Sequence, residues 1–159
     1  AAWSAVFLLL ILLLSFIGGC SGSTSGGMKV LRIMLIFRQG QREMARLLHP
    51  HGVQHIKMHG QPVAMPILQA VWAFAGLFII SFIVIAFLLA ACGLDILTAF
   101  SAAAATLTNV GPGIGGVGPL NGYGHLPDAA KLILCMAMLL GRLELFTFLM
   151  LIYPPFWRR

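Results

Sequence analysis

Ala70 to Cys92 is a run of 23 residues without one charged side chain. As a helix it would be about 34 Å long, enough to cross a hydrocarbon core of roughly 30 Å. A helix of a small soluble domain keeps one polar face toward water, and this run has none. The composition agrees: 60% of the chain is hydrophobic and 9% charged, against about 45–50% and 25% in an ordinary globular domain. Disorder is excluded by the same count, because disordered chains are poor in Leu, Ile, Val and Phe. The run therefore reads as a membrane span, with Pro66 in its first turn and Trp72 near an interface.

Charge sets the orientation. Of the ten basic residues behind the net charge of +6, six (Lys29, Arg32, Arg38, Arg42, Arg46 and Lys57) fall in one stretch opposed only by Glu43. Arg158 and Arg159 end the chain. The positive-inside rule places the 29–57 segment and the C-terminus in the cytoplasm. No aromatic residues interleave with these basic ones on a polar face, so a nucleic-acid partner is not indicated. The Ala70–Cys92 helix then emerges outside near Gly93–Asp95. Leu132 to Tyr153, interrupted only by Gly141, Arg142, Glu144 and Thr147 and stopped by Pro154–Pro155, returns to the inside.

The stretch between those spans is more informative. Ile96–Leu107 (ILTAFSAAAATL) forms a helix of about 18 Å, too short to cross. Thr108–Pro119 (TNVGPGIGGVGP) carries too much Gly and Pro to continue it. Both flanking spans meet the outer face, so this piece begins and ends there: a short helix going halfway in, then extended backbone coming out. Irregular backbone at membrane depth is tolerated only where protein buries it or it lines a watery cavity. Its carbonyl oxygens are then available to replace the hydration shell of an ion, as in channel filters.

The first third repeats the plan. Ala5–Ser15 is strongly apolar, Phe16–Gly27 (FIGGCSGSTSGG) is the filter-like turn, and a helical run from Lys29 to about Leu48 leads out. The expected organisation is a penultimate repeat without its first span over 1–48, a cytoplasmic linker over 49–65, and a complete span–pore–span repeat over 66–159. The fold class is an all-α membrane protein of span–pore-loop–span repeats with re-entrant pore helices and Gly-rich filter strands. A repeat that lacks its opening span predicts that the chain is a fragment of a longer, channel-like fold. Within the linker, Val53–Met58 and Gln61–Val63 are candidates for a small hairpin.

Other motifs reduce to simpler readings. Ile17-Gly18-Gly19-Cys20 imitates a lipoprotein signal, but no basic n-region precedes it; the first basic residue is Lys29. Gly19-Cys20-Ser21-Gly22 fits the GxSG of intramembrane serine proteases, yet no His lies in a span to act as base. Gly111, Gly113 and Gly116 satisfy GxGxxG without the strand before or the helix after. His49, His51, His55 and His59 are separated by Pro50 and Gly52, so no helix aligns them on a metal. Cys20, Cys92 and Cys135 show no ligand spacing. Arg142 is the strongest single signal, since an arginine near mid-span costs about 2.5–3.5 kcal/mol. Glu144 is two positions away and on another face, so the acceptors are expected among the carbonyls of the Gly22–Gly27 loop; snorkelling to the inner interface is the simpler reading.

Three segments, FIGGCSGSTSGGMKV (16–30), TNVGPGIGG (108–116) and LGRLELFT (140–147), together resemble the TrkH/TrkG-type bacterial potassium uptake proteins of the Trk/Ktr/HKT superfamily. The resemblance covers nearly the whole chain; only the His-containing linker departs from it. It implies four span–pore–span units around one pore, of which this chain holds most of the third and all of the fourth. Ile17 and Gly18, with Asn109, Val110 and Gly111, would supply filter carbonyls to K⁺, and Gly18 and Gly111 would be the central glycines. Gly22, Ser23, Thr24, Ser25, Gly26 and Gly27 would form an intramembrane loop that gates the pore together with Arg142. The resemblance also implies K⁺ uptake, as a symporter, across the bacterial inner membrane. It implies a homodimer and a cytosolic ring of nucleotide-binding regulatory subunits of the TrkA type, docking on the basic 29–57 face. No covalent cofactor and no enzymatic activity are expected. The rival reading is another channel or transporter with re-entrant loops, passing Na⁺ or NH₄⁺.

Overall fold

The computed structural model describes residues 5–20, 22–23, 26–48, 57–58 and 61–143. Five helices follow one another among them: α1 (Ala5–Ile17), α2 (Val30–Leu48), α3 (Met65–Ala91), α4 (Ile96–Leu107) and α5 (Asp128–Arg142). Before α3, β1 (Lys57–Met58) and β2 (Gln61–Pro62) pair antiparallel, with Lys57 opposite Pro62. This is the middle of the expected linker hairpin. The linker histidines 49, 51, 55 and 59 lie outside the described residues.

The uncharged run extends into a helix of 27 residues, α3, whose mean hydropathy reaches 2.8. It is the one helix among the described residues long and apolar enough to cross a membrane. It starts at Met65, earlier than the run itself, because Pro66 sits in the first turn where its missing N–H costs nothing. It ends in a Schellman turn. The Gly93 N–H bonds the Ala90 carbonyl at 2.9 Å and the Leu94 N–H bonds that of Leu89 at 3.4 Å.

The short helix α4 keeps its expected bounds, and its alanines explain its position. Small side chains let α3 and α5 close on it from two sides, so Ala99, Ala102, Ala103 and Ala104 lose all solvent contact. Around them α3 contributes Phe74, Phe78, Ile85 and Leu89, and α5 contributes Ala130, Leu134 and Ala137. Val117, in a 3-10 turn over Gly115–Val117, caps this core. That turn is the one helical piece in the Gly-rich segment expected to hold none.

The other helices attach to this three-helix body. Phe16, near the end of α1, sets its ring edge-on against Phe82 of α3 at 5.4 Å and against Phe78 at 6.2 Å. The α2 helix lies along α3 with the Arg32 guanidinium 3.9 Å from the centre of the Phe74 ring, a cation–π contact. Lower down, Arg42 reaches the Met65 sulfur at 3.6 Å. The basic end of α2 and the start of α3 therefore share one side of the molecule, as two helices joined by a linker on that side must.

Two further boundaries differ from expectation. The Ala5–Ser15 helix continues to Ile17, because Phe16 gains its packing on α3 in helical geometry. The last helix starts at Asp128, four residues before Leu132 in the sequence, with Pro127 as its N-cap and Asp128 at the positive end of the dipole. It closes at Arg142 with Leu143 as C-cap, the Leu143 N–H bonding Leu139 at 2.9 Å. The expected continuation to Tyr153, including Glu144, lies outside the described residues.

Candidate functional site

The site is built where α1 and α4 end. Both stop with a residue in the left-handed region: Gly18 at φ 71 after α1, and Asn109 at φ 56 after α4. At α4 the hydrogen bonds are those of a Schellman turn, Asn109 N–H to Thr106 at 3.1 Å and Val110 N–H to Ala105 at 3.0 Å. Asparagine is the residue other than glycine that tolerates this position. Its side-chain Nδ2 donates to the Met138 carbonyl at 3.3 Å, tying the turn to α5. Gly18 and Asn109 share a left-handed backbone, Gly18 directly after α1 and Asn109 one residue past the C-cap of α4, and Gly111 (φ 103) lies two residues further on.

A second layer of chain separates the two helix ends. The exit turn returns beside Gly18: Met28 N–H bonds the Phe16 carbonyl at 3.0 Å and Val30 N–H bonds that of Gly19 at 3.2 Å. Ile17 and Gly18 sit between these two anchored peptides. A Cβ on Gly18 would lie 2.5 Å from the Gly26 carbonyl oxygen. One on Gly26 would overlap the Thr108 carbonyl oxygen and come 3.2 Å from the Asn109 Cβ. One on Gly141 of α5 would overlap the Leu107 carbonyl oxygen and lie 2.7 Å from Asn109 Nδ2. Backbone therefore touches backbone at Gly18–Gly26, Gly26–Thr108 and Leu107–Gly141, with a glycine on one side of every contact.

The Gly-rich return strand is latched to α4 by hydroxyl groups. Ser101 Oγ donates to the Ile114 carbonyl at 2.8 Å, and Thr98 Oγ1 accepts from the Gly116 N–H at 3.1 Å. Thr106 and Thr108 turn their hydroxyls back on the Ala102 and Ala104 carbonyls, at 2.7 and 2.8 Å. Each of these buried hydroxyls has a partner, as burial demands. Outside the latch, Val110, Gly111 and Pro112 are exposed, and an apolar cavity of about 610 Å³ lies between the strand and Leu8, Ile11, Leu12 and Ser15 of α1. The Gly111 carbonyl accepts a hydrogen bond of 2.6 Å from Tyr123 Oη. Burial pushes the Tyr123 phenol above its ordinary range.

The C-termini of α1 and α4, with the Gly26 segment packed between them, carry partial negative charge and unpaired carbonyl character, which favour a cation. Of the sequence-predicted residues, Gly18, Gly26 and Asn109 come together directly. Val110 and Gly111 continue from them on the open side. Gly27 is buried against the Phe16 carbonyl, while Gly22 and Ser23 are exposed; Thr24, Ser25 and Ser21 lie outside the described residues. Arg142 is exposed in the last turn of α5, next to Gly141 at the seam and at the helix end where a cation is favoured. Two residues of the site were not singled out from sequence. Gly141 had a usable signal, a glycine kept in a helix at a cost of about 1 kcal/mol. Tyr123 had none.

Residues 1–155 match the TrkH family, described as cation transport proteins. The chain is 49% identical over 158 residues to the Trk system potassium uptake protein TrkH of Vibrio parahaemolyticus, covering 99% of this chain and 32% of that protein. It is 46% identical to TrkH of Escherichia coli K12 and 37% identical to TrkG of the same strain, again over 99% of this chain and 32% of each. The crystal structure of the potassium transporter TrkH from Vibrio parahaemolyticus superposes with a TM-score of 0.89 at 48% identity, covering 98% of this chain and 33% of that one. The chain spans about a third of the length of the curated relatives it matches.

Proposed function

Because the chain belongs to the TrkH family of cation transport proteins, we propose that it forms part of a potassium uptake pore. In it, peptide oxygens of the 17–18 and 109–111 segments replace the water around K⁺. The observation that carries this reading is that two short helices end on either side of one glycine-lined seam at Gly26. Such an arrangement brings carbonyls and the negative ends of two helix dipoles near one another. Four comparable segments are needed to surround an ion, and this chain supplies two, as the last two of four units divided at 1–48, 49–65 and 66–159. The transport step needs no covalent chemistry, so no catalytic residue is assigned.

The remaining assignments follow from the same reading. The Gly22–Gly27 loop and Arg142 form the gate below the filter. The basic face of α2 and the linker lies in the cytoplasm and receives a nucleotide-binding regulatory subunit of the TrkA type, and the whole transporter is a homodimer in the bacterial inner membrane. The C-terminus faces the cytoplasm. The names of its relatives, potassium uptake proteins of a Trk system, support the ion and a system of several components.

The test is Gly111→Ser in a full-length TrkH-family transporter carrying this chain as its corresponding third. Serine is strained at φ 103 and turns the carbonyl. K⁺ uptake is expected to lose preference over Na⁺ by about tenfold, on the scale of one or two kcal/mol of backbone strain. Selectivity equal to the parent would remove Gly111 from the filter, and a parent that prefers Na⁺ or NH₄⁺ would replace the ion.

A further inference from the structure

The Gly111–Pro112 peptide is the weak link of the return strand. Its neighbours are fixed through nitrogen: Asn109 N–H to Thr106 at 3.1 Å, Val110 and Gly111 N–H to Ala105 at 3.0 and 3.3 Å, and Gly113 N–H to Val117 at 2.9 Å. Proline has no N–H, so the 111–112 peptide has its carbonyl oxygen as its one polar handle. The Pro112 ring fixes φ on its own side of this peptide and narrows the ψ of Gly111, so the turning left to the oxygen is that of Gly111 within this narrower range. Gly111 lies at φ 103, and a Cβ built there meets nothing within 4 Å, so the oxygen can turn through a limited angle unless it is held.

The oxygen is held by one side chain, Tyr123, at 2.6 Å. That side chain is itself anchored. Its ring packs against the core, and its carbonyl accepts the N–H of buried Leu126 at 3.3 Å. A carbonyl oxygen has two lone pairs; the phenol takes one and leaves the other for a cation.

We propose that Tyr123 is a positioning residue for the filter: its hydroxyl fixes the direction of the Gly111 carbonyl and thereby sets the preference for K⁺ over Na⁺. The inference rests on the reading of Gly111 as an ion ligand. Selectivity in a carbonyl filter depends on how closely the oxygens approach the ion and on their field strength. The hydroxyl acts on both. It resists the inward swing that the smaller Na⁺ requires, and it draws electron density from the same oxygen. An untethered Gly111 carbonyl would follow whichever ion entered.

Tyr123→Phe removes one oxygen and keeps the ring. In the full-length transporter carrying this chain, the ratio of K⁺ to Na⁺ uptake is expected to fall about fivefold, the equivalent of one hydrogen bond. Membrane abundance should stay near the parent while the ratio falls, a split that a loss of folding would not give. An unchanged ratio, alongside a Gly111→Ser variant that does lose selectivity, overturns the role of Tyr123 and leaves the filter reading standing. Both variants unchanged would overturn the filter reading and this inference with it. A second measurement covers a Tyr123→Phe protein that fails to accumulate. With 3-fluorotyrosine at position 123, which retains the hydroxyl, the fluorine resonance should move when K⁺ replaces Na⁺, because occupancy alters the shared carbonyl. A resonance indifferent to the ion overturns the proposal.

Discussion

Gly141 lies where α5 crosses the end of α4, and the crossing is closer than any side chain permits. A Cβ there would collide with the Leu107 carbonyl oxygen and press on the Asn109 amide. Both obstacles belong to the Schellman turn that starts the candidate filter, so relief has to come from moving backbone. Gly141→Ala is expected to lower stability by about 1–3 kcal/mol, the range for overpacking, although alanine is the better helix former. A melting curve of the detergent-solubilised transporter reads the loss, and a raised midpoint would show the crossing to be looser. The case also marks how far sequence reaches at this scale. Gly18 and Gly111 stand out as glycines among turn residues, and both hold positive φ. Gly141 sits inside a helical pattern, where its meaning depends on a neighbour 34 positions earlier in the chain, at Leu107. Tyr123 poses the same difficulty: nothing in Asn121–Gly124 announces a hydroxyl aimed at Gly111.

At the scale of elements, length and punctuation were legible and endings were not. The Ile96–Leu107 helix followed from an alanine-rich segment between Asp95 and a Gly-Pro run, and the structure keeps those bounds. The helix from Ala5 runs past its expected end because ring contacts of Phe16 with Phe78 and Phe82, remote in sequence, favour one more half-turn. The last helix reaches its C-cap at Leu143, directly after Arg142. In the proposed gate, Arg142 holds the Gly22–Gly27 loop across the pore. Arg142→Ala is therefore expected to raise flux measured without the regulatory subunit, by several-fold, because charge-assisted bonds contribute about 1.5–3 kcal/mol. Rubidium uptake into proteoliposomes measures it. Flux equal to the parent would assign Arg142 to the helix dipole or the membrane interface instead.

The whole molecule shows its unfinished surfaces. Large apolar side chains of α3, among them Ile79, Ile80, Ile83 and Phe87, are exposed along one side, and so are Leu9, Leu10 and Leu13 of α1. Hydrocarbon or further protein has to cover them, since contiguous apolar surface of this extent is unusual on a soluble monomer. The class of fold was readable from that excess alone; what covers these faces was not, because the complement is not encoded in these residues. Reconstituted by itself, the chain is expected to give no K⁺ flux above that of empty vesicles, since two strands leave half of an ion's coordination sphere open. Flux from the isolated chain that discriminates K⁺ from Na⁺ would require copies of it to supply the other half.

Contacts in which main chain meets main chain have no rotamers with which to absorb a displacement. From Gly18 through Gly26, Thr108 and Leu107 to Gly141 the molecule offers no compliant spacer, so a slide of α5 by a fraction of an ångström would reach the turn after α4 and then the one after α1 with little lost. Whatever pushes or pulls the Arg142 end of that last helix would thus be felt directly by the oxygens proposed to meet the ion. Control of the pathway then needs a stiff rod more than a chain of messengers.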